Sequence, residues 1–204
     1  MHFGLIPDGN RRYGKRTYNS SLAGYADSSR SFQMVLSWCL EHCIQHLTVF
    51  VLSTENLSRA ETPQLLQCIE ASLADMKKSA RVSVEFLCCG GYREQFSPTL
   101  RAHMDRIELD ASETPDIRLH LLMGYGGKCE IENAMLSGSL LTAHLPALDI
   151  VLRTGDTRRL SNFLPYQSAY AELFFLKCMF PELAVDDLDA VLEKFRKTQR
   201  RFGQ

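Results

Sequence analysis

The stretch HLTVFVLSTEN, residues 46–56, decides how this chain is built. Its first part is a continuous β-branched, aliphatic and aromatic run, which suits a strand covered on both faces. Its end turns abruptly polar at Thr54, Glu55 and Asn56. A strand buried on both sides belongs to a parallel sheet with helices on each face, so strands and helices should alternate along the chain.

The flanking segments alternate in this way. HFGLIP (2–7) is a short apolar run stopped by Pro7 and reads as a strand. From about Ser20 to Cys43, apolar residues at Phe32, Val35, Leu36, Cys39, Leu40 and Cys43 recur at helical spacing. Thr62-Pro63 opens a helix with Leu65, Leu66, Ile69, Leu73 and Met76 on one side. RVSVEFLCCG (81–90) reads as a third strand, and Ser97-Pro98 starts a helix running to about Leu109. DIRLHLLMGYGG (116–127), ALDIVLRTG (147–155) and AELFFL (171–176) complete six strands. A helix from Asp186 to Arg200, capped near Val185-Asp186, closes the chain. The expectation is one α/β domain over 1–204, with a mostly parallel six-stranded sheet flanked by helices.

Composition excludes several classes. With 45% hydrophobic residues, 23% charged residues and a net charge of -1, nothing global points to nucleic acid or an anionic membrane. No apolar run reaches transmembrane length, and the start of the chain lacks signal-peptide features. The seven cysteines, without paired spacings, fit reduced thiols in a cytosol. A cytoplasmic protein is expected.

Ligands of parallel sheets bind beyond the carboxyl ends of the strands. Those ends are Pro7-Asp8-Gly9-Asn10, Ser53-Thr54-Glu55-Asn56, Gly124-Tyr125-Gly126-Gly127 and Arg153-Thr154-Gly155-Asp156. Asp8 followed by Gly9, Asn10, Arg11 and Arg12 suits Mg²⁺ and phosphate, and equally a solvated basic arm. Arg153, Arg158 and Arg159, with Thr154, Thr157 and Ser161, suit a diphosphate head group or, alternatively, a loop of solvated arginines. Glu172, in the apolar AYAELFF, calls for a metal, a cation or a structural pair. GYGGK (124–128) resembles a weak phosphate turn. Cys39, His42, Cys43 and His46 invite a zinc site, but four side chains along one helix face cannot converge on one ion.

Taken together, HFGLIPDGNRRYGKR, FVLSTENLSR, GYGGKCEI and DIVLRTGDTRRLSNFLPYQSAYAELFF, closed by RRFGQ, resemble the cis-prenyltransferase family of undecaprenyl and dehydrodolichyl diphosphate synthases. The resemblance implies a hydrophobic tunnel between sheet and helices, here including Leu65, Leu66, Ile69, Leu73 and Phe86. It implies Mg²⁺-dependent condensation of isopentenyl diphosphate with an allylic diphosphate. By position, Asp8 is the implied catalytic acid and, with Glu172, the Mg²⁺ ligand. Gly9, Asn10, Arg11 and Arg12 are implied to cradle the allylic diphosphate. Asn56 and Arg59 are implied to position substrates, and Arg153, Arg159 and Ser161 to hold isopentenyl diphosphate. Arg201 to Gly203 matches an Arg-x-Gly that reaches into a partner subunit in the family, implying a homodimer.

The chain departs from the family pattern at four places. Ser21 and Tyr25 stand where the family has Arg and His, and Leu57 replaces a Trp. Asp156 replaces a glycine, and only about twenty residues separate Gly127 from Asp149. With Val51 bulkier than the usual alanine, the pattern points to a short cis-prenyl diphosphate product. The alternative is irregular head-to-middle coupling of two dimethylallyl diphosphates, as in lavandulyl-type synthases. A third reading, a non-catalytic accessory subunit, conflicts with the retention of Asp8, Arg153, Arg159 and Glu172.

Overall fold

The computed structural model describes residues 1–57, 62, 66, 82–109 and 114–201. Six strands form one sheet: β1 (His2–Ile6), β2 (His46–Ser53), β3 (Val82–Leu87), β4 (Ile117–Tyr125), β5 (Ile150–Arg153) and β6 (Glu172–Phe175). Their spatial order is β3-β4-β2-β1-β5-β6, and every pairing is parallel. The helices of the described residues are α1 (Asn10–Tyr18), α2 (Gly24–Glu41), α3 (Pro98–Leu109), α4 (Gly127–Ser137) and α5 (Val185–Lys197). β2 occupies the span expected of it. Of the helix expected from Thr62, residues 62 and 66 are helical, and Leu65, Ile69, Leu73 and Met76 lie outside the described residues.

Strand alternation divides the core into two faces. One face carries Phe3, Leu5, Leu47, Val49, Leu119, Leu121, Ile150 and Leu152, and is covered by Val35, Trp38 and Cys39 of α2 and Leu188, Val191 and Leu192 of α5. The Trp38 indole N–H finds its partner in Asp189 Oδ1 at 2.8 Å, so the largest side chain of this layer is buried without an orphaned donor. The other face carries Ile6, Phe50, Leu122 and Val151 under Leu145, Leu148, Phe163 and Leu164.

Three helices differ from expectation. The segment after Asp8 forms α1, a separate helix crossing α2 where Gly14 meets Gly24. A Cβ on Gly24 would lie 2.1 Å from the Asn10 carbonyl oxygen, so only glycine permits that approach. α4 follows directly on β4, where sequence offered only a glycine turn. At the last helix, the cap lies earlier than expected: Asp187 accepts from the Ala184 N–H at 3.1 Å.

The topology positions the site. From β1 the chain moves outward through β2 on one side, and later returns to place β5 against the other side of β1. The carboxyl ends of β1 and β5 therefore flank the point where the connections diverge, the place where open α/β sheets bind ligands. The register sets Ile6 beside Arg153 there.

Candidate active site

Asp8 leaves the end of β1 with its carboxylate pinned from two sides. Oδ1 accepts the Gly9 N–H at 2.6 Å, and Oδ2 accepts Nη2 of Arg153 at 2.8 Å. Its backbone carbonyl accepts the Thr154 hydroxyl at 2.8 Å and the Phe180 N–H at 3.0 Å. The guanidinium of Arg153 is 6% exposed and also donates from Nη1 to Ser161 Oγ at 2.7 Å and to the Arg159 carbonyl. Its Nε is buried without a partner among the described residues. A buried cation is tolerated only when paired and hydrogen-bonded, so Asp8 and Ser161 together hold Arg153 in place.

Around this pair the chain is tightly cross-braced. Arg12 Nη2 donates to the Gly155 carbonyl at 2.6 Å and lies 3.8 Å from Asp8 Oδ1. Gly155 has φ +84°, and a Cβ there would meet Arg12 Nη2 at 2.7 Å and the Asp8 backbone at 3.0 Å. Asn10 spends its side chain internally, donating to the Pro7 carbonyl at 2.8 Å and accepting the Ser28 hydroxyl at 2.7 Å. It thus braces the start of α1 and leaves phosphate contact to backbone. α1 begins without a side-chain cap and without an acid in its first turn. Such a helix start turns its backbone N–H groups and positive dipole end toward an anion.

A cavity of about 1600 Å³ opens over these groups. Its polar mouth is formed by Asp8, Gly9, Asn10, Arg11, Arg12, Asn56, Arg153, Arg159 and Ser161. Its apolar wall comes from Phe32 and Leu36 of α2, Val49 and Val51 of β2, and Leu121 and Met123 of β4. Ser21 and Tyr25, the positions departing from the family pattern, face the same space. Phe86, expected in a tunnel wall, is instead 5% exposed within the core, because β4 separates β3 from β2. Leu66 packs against that core as well.

Other expected residues fall elsewhere. Glu172 opens β6 in register with Ile150, whereas Arg153 pairs with Phe175. Three residues of strand, roughly 10 Å, thus separate Glu172 from the row of Arg153, and it is not part of the cavity wall. Within one chain Glu172 does not reach Asp8, so of the two expected ligands it is Asp8 that lines the cavity. Asp156 is exposed, lies off the cavity wall, and makes no ion pair among the described residues. Arg201 is exposed, while Arg59 and Gly203 lie outside the described residues.

GYGGK is not a phosphate turn. The Gly127 N–H donates to the Asn162 carbonyl at 2.8 Å and the Lys128 N–H to Asn162 Oδ1 at 2.7 Å, so its first amides are taken. Asn162 also donates to Glu55 Oε1 at 3.0 Å, linking the ends of β2, β4 and β5. Burial pushes the Glu55 carboxyl up, but hydrogen bonds from its own backbone, Asn162, Ser53 and Thr54 outweigh this and hold it below the usual range. Sequence reasoning quoted Asn162 without giving it a role. Its φ of +71° lies in a region asparagine tolerates better than most residues, and residue type is all the sequence shows of it.

Whether the donor set suits Mg²⁺ is a matter of chemistry at Asp8. One carboxylate, about one-third exposed toward a mouth lined by cations, suits an ion completed by water and phosphate oxygens. The residues present therefore fit Mg²⁺ with Asp8 as its protein ligand.

Residues 6–203 match the Prenyltransf family, described as undecaprenyl diphosphate synthase. A tritrans,polycis-undecaprenyl-diphosphate synthase (geranylgeranyl-diphosphate specific) of Pyrobaculum aerophilum is 34% identical over 230 residues, covering 100% of this chain and 95% of the relative. An isoprenyl transferase of Helicobacter pylori is 31% identical over 226 residues, covering 100% of this chain and 96% of the relative. A crystal structure of lavandulyl diphosphate synthase from Lavandula x intermedia with dimethylallyl diphosphate superposes with a TM-score of 0.86 at 21% identity, covering 100% of this chain and 98% of that one. That last likeness is one of fold.

Proposed function

The chain belongs to the undecaprenyl diphosphate synthase family and is a cis-prenyltransferase, and from that premise we propose that it condenses isopentenyl diphosphate with an allylic diphosphate to a short cis-prenyl diphosphate. The observation that carries the reading is Asp8, paired with buried Arg153, at the polar mouth of an otherwise apolar cavity. Ionising an allylic diphosphate builds negative charge on the leaving group and positive charge on carbon. The start of α1, with Arg11 and Arg12, meets the first charge, and the apolar wall keeps water from the second. Arg153, Arg159 and Ser161, which line the same cavity, hold the second diphosphate in this proposal. Asn56, on the cavity wall beyond β2, positions the substrates. Mg²⁺, held by Asp8, would neutralise diphosphate charge as it develops.

Val51, on the same apolar wall as Phe32 and Leu36 and bulkier than the alanine of the family pattern, supports a short product. A second reading, coupling of two dimethylallyl diphosphates, draws support from Ser21 and Tyr25. These give the mouth hydroxyls where the family pattern has cationic groups. The homodimer implied by Arg201 is part of the proposal. Among the described residues, no helix is long and apolar enough to cross a membrane.

Purified protein with Mg²⁺, an allylic diphosphate and isopentenyl diphosphate should yield a cis-product, and Asp8→Ala should abolish it. Unchanged turnover by Asp8→Ala would refute the assignment. Dimethylallyl diphosphate supplied alone separates the two readings, since only irregular coupling then gives a branched product.

A further inference from the structure

Four of the chain's six histidines, at positions 2, 46, 120 and 144, gather on the sheet face turned away from the apolar wall of the cavity. Register explains the grouping. Glu85 of β3 stands beside His120 of β4, which stands beside Thr48 of β2, while His46 lies one same-face step back on β2. His144 arrives from the turn segment between α4 and β5. One oxygen of Glu85, Oε2, lies 3.0 Å from His120 Nδ1 and 3.0 Å from His144 Nε2.

We propose that Glu85, His120 and His144 form a binding site for a divalent transition metal of the zinc class, separate from the diphosphate site. Three observations carry this. The first is spacing: all three donor atoms lie within 4.8 Å of one another. Around a tetrahedral zinc with bonds of about 2.0 Å, neighbouring donors sit roughly 3.3 Å apart. Two of the three separations are already close to that, and one small rotamer adjustment of the half-exposed His144 closes the third.

The second observation is the support behind His120. Its other ring nitrogen, Nε2, lies 3.2 Å from His46 Nδ1, and the two rings stack with 11° between their planes. Metal on Nδ1 requires the proton of His120 on Nε2, where it donates to His46 Nδ1. Metal-bound imidazoles are characteristically oriented by such a partner. The third is access. His120 is 4% exposed and fixed by the sheet, while the side chains of Glu85 and His144 are 40% and 51% exposed. A buried anchor with two solvent-reaching arms lets an ion enter and leaves a fourth position to water.

Two imidazoles and one carboxylate favour zinc, cobalt or nickel over Mg²⁺, which prefers oxygen and suits Asp8. The two sites therefore discriminate between ions by chemistry. A bound ion would tie together β3, β4 and the α4–β5 segment.

The test uses the full-length chain, stripped by chelator and titrated with Co²⁺ or Zn²⁺ alone. We expect one equivalent of Co²⁺ to give visible d–d bands without a thiolate charge-transfer band. Zn²⁺ should raise the thermal unfolding midpoint. His144→Ala and Glu85→Gln should each weaken binding by about tenfold or more. Circular dichroism confirms that each variant is folded, and half-exposed His144 makes that variant the safer one. Affinity unchanged in both folded variants, a thiolate band, or absence of binding to the native chain would overturn the site and leave a hydrogen-bonded network.

Discussion

Arg153 is the residue on which the site turns. It bonds Asp8 through one nitrogen and Ser161 with the Arg159 carbonyl through another, and its buried Nε faces no partner among the described residues. Lysine has no planar fork and cannot span both sides at once. Arg153→Lys should therefore lower turnover by about 10²- to 10³-fold, the usual cost of a lost preorganised donor, as steady-state kinetics would measure. A drop below tenfold would argue that the fork is dispensable. At the same scale, Cys39 is fully buried and burial pushes its thiol up to about 12, whereas Cys43 is exposed. Alkylation of the folded chain near pH 8 should mark Cys43 and spare Cys39, as peptide mass spectrometry would read. Asp8 and Arg153 were each legible because polar residues directly follow apolar strands. Their pairing across 145 positions was not, because spacing along a chain carries no register. Glu172 is less enclosed than its apolar neighbours implied, because β6 is an edge strand and leaves the carboxylate only partly covered.

At the scale of elements, the strands were the most readable features. β2 matches its expected span because a run buried on both faces has sharp chemical limits. α1 was not readable as a separate helix, since NRRYGKRTY has almost no apolar stripe and only Gly14 is buried. α4 was hidden because its Met135 and Leu136, 81% and 90% exposed, blur the helical periodicity. What holds α1 is contact, and that makes two predictions. Gly24→Ala forces a Cβ onto the Asn10 carbonyl and should cost about 1–3 kcal/mol, seen as a lower unfolding midpoint. The second concerns Arg16, which bridges α1 to Glu182. The hydrogen bond from Arg16, with one from the Met179 N–H, holds the Glu182 carboxyl below its ordinary 4.5. A carboxyl depressed in the folded state stabilises above its unfolded value, and that contribution fades as pH falls through the folded one. Glu182→Gln should flatten the acid limb of the stability curve below about pH 4.5 in low salt. A limb unchanged in Glu182→Gln would remove the bridge from the account.

The molecule as a whole places a polar mouth on one apolar chamber, and the proposed chemistry needs both. In that chemistry the mouth would fix diphosphates by charge, whereas the chamber would accept a growing chain by excluding water, at about 0.8 kcal/mol for each buried methylene. Chain growth stops where that gain gives way to overlap with the wall. Val51 and Leu36 are partly buried side chains of that wall, on β2 and α2. A smaller residue at 51 leaves room for another isoprene unit, and a larger one removes it. Val51→Ala should therefore shift the product distribution upward by about one unit, and Val51→Phe downward. Mass spectrometry of the dephosphorylated products reads both shifts at saturating isopentenyl diphosphate. Because residue 51 lies on the apolar wall and carries no polar group, single-turnover rates should change far less than chain length does. Identical distributions from native, Val51→Ala and Val51→Phe chains would mean that the limit is set elsewhere. The opposite result would locate the control of product length on the same strand whose apolar run organises the sheet, so that one element serves both the fold and the specificity.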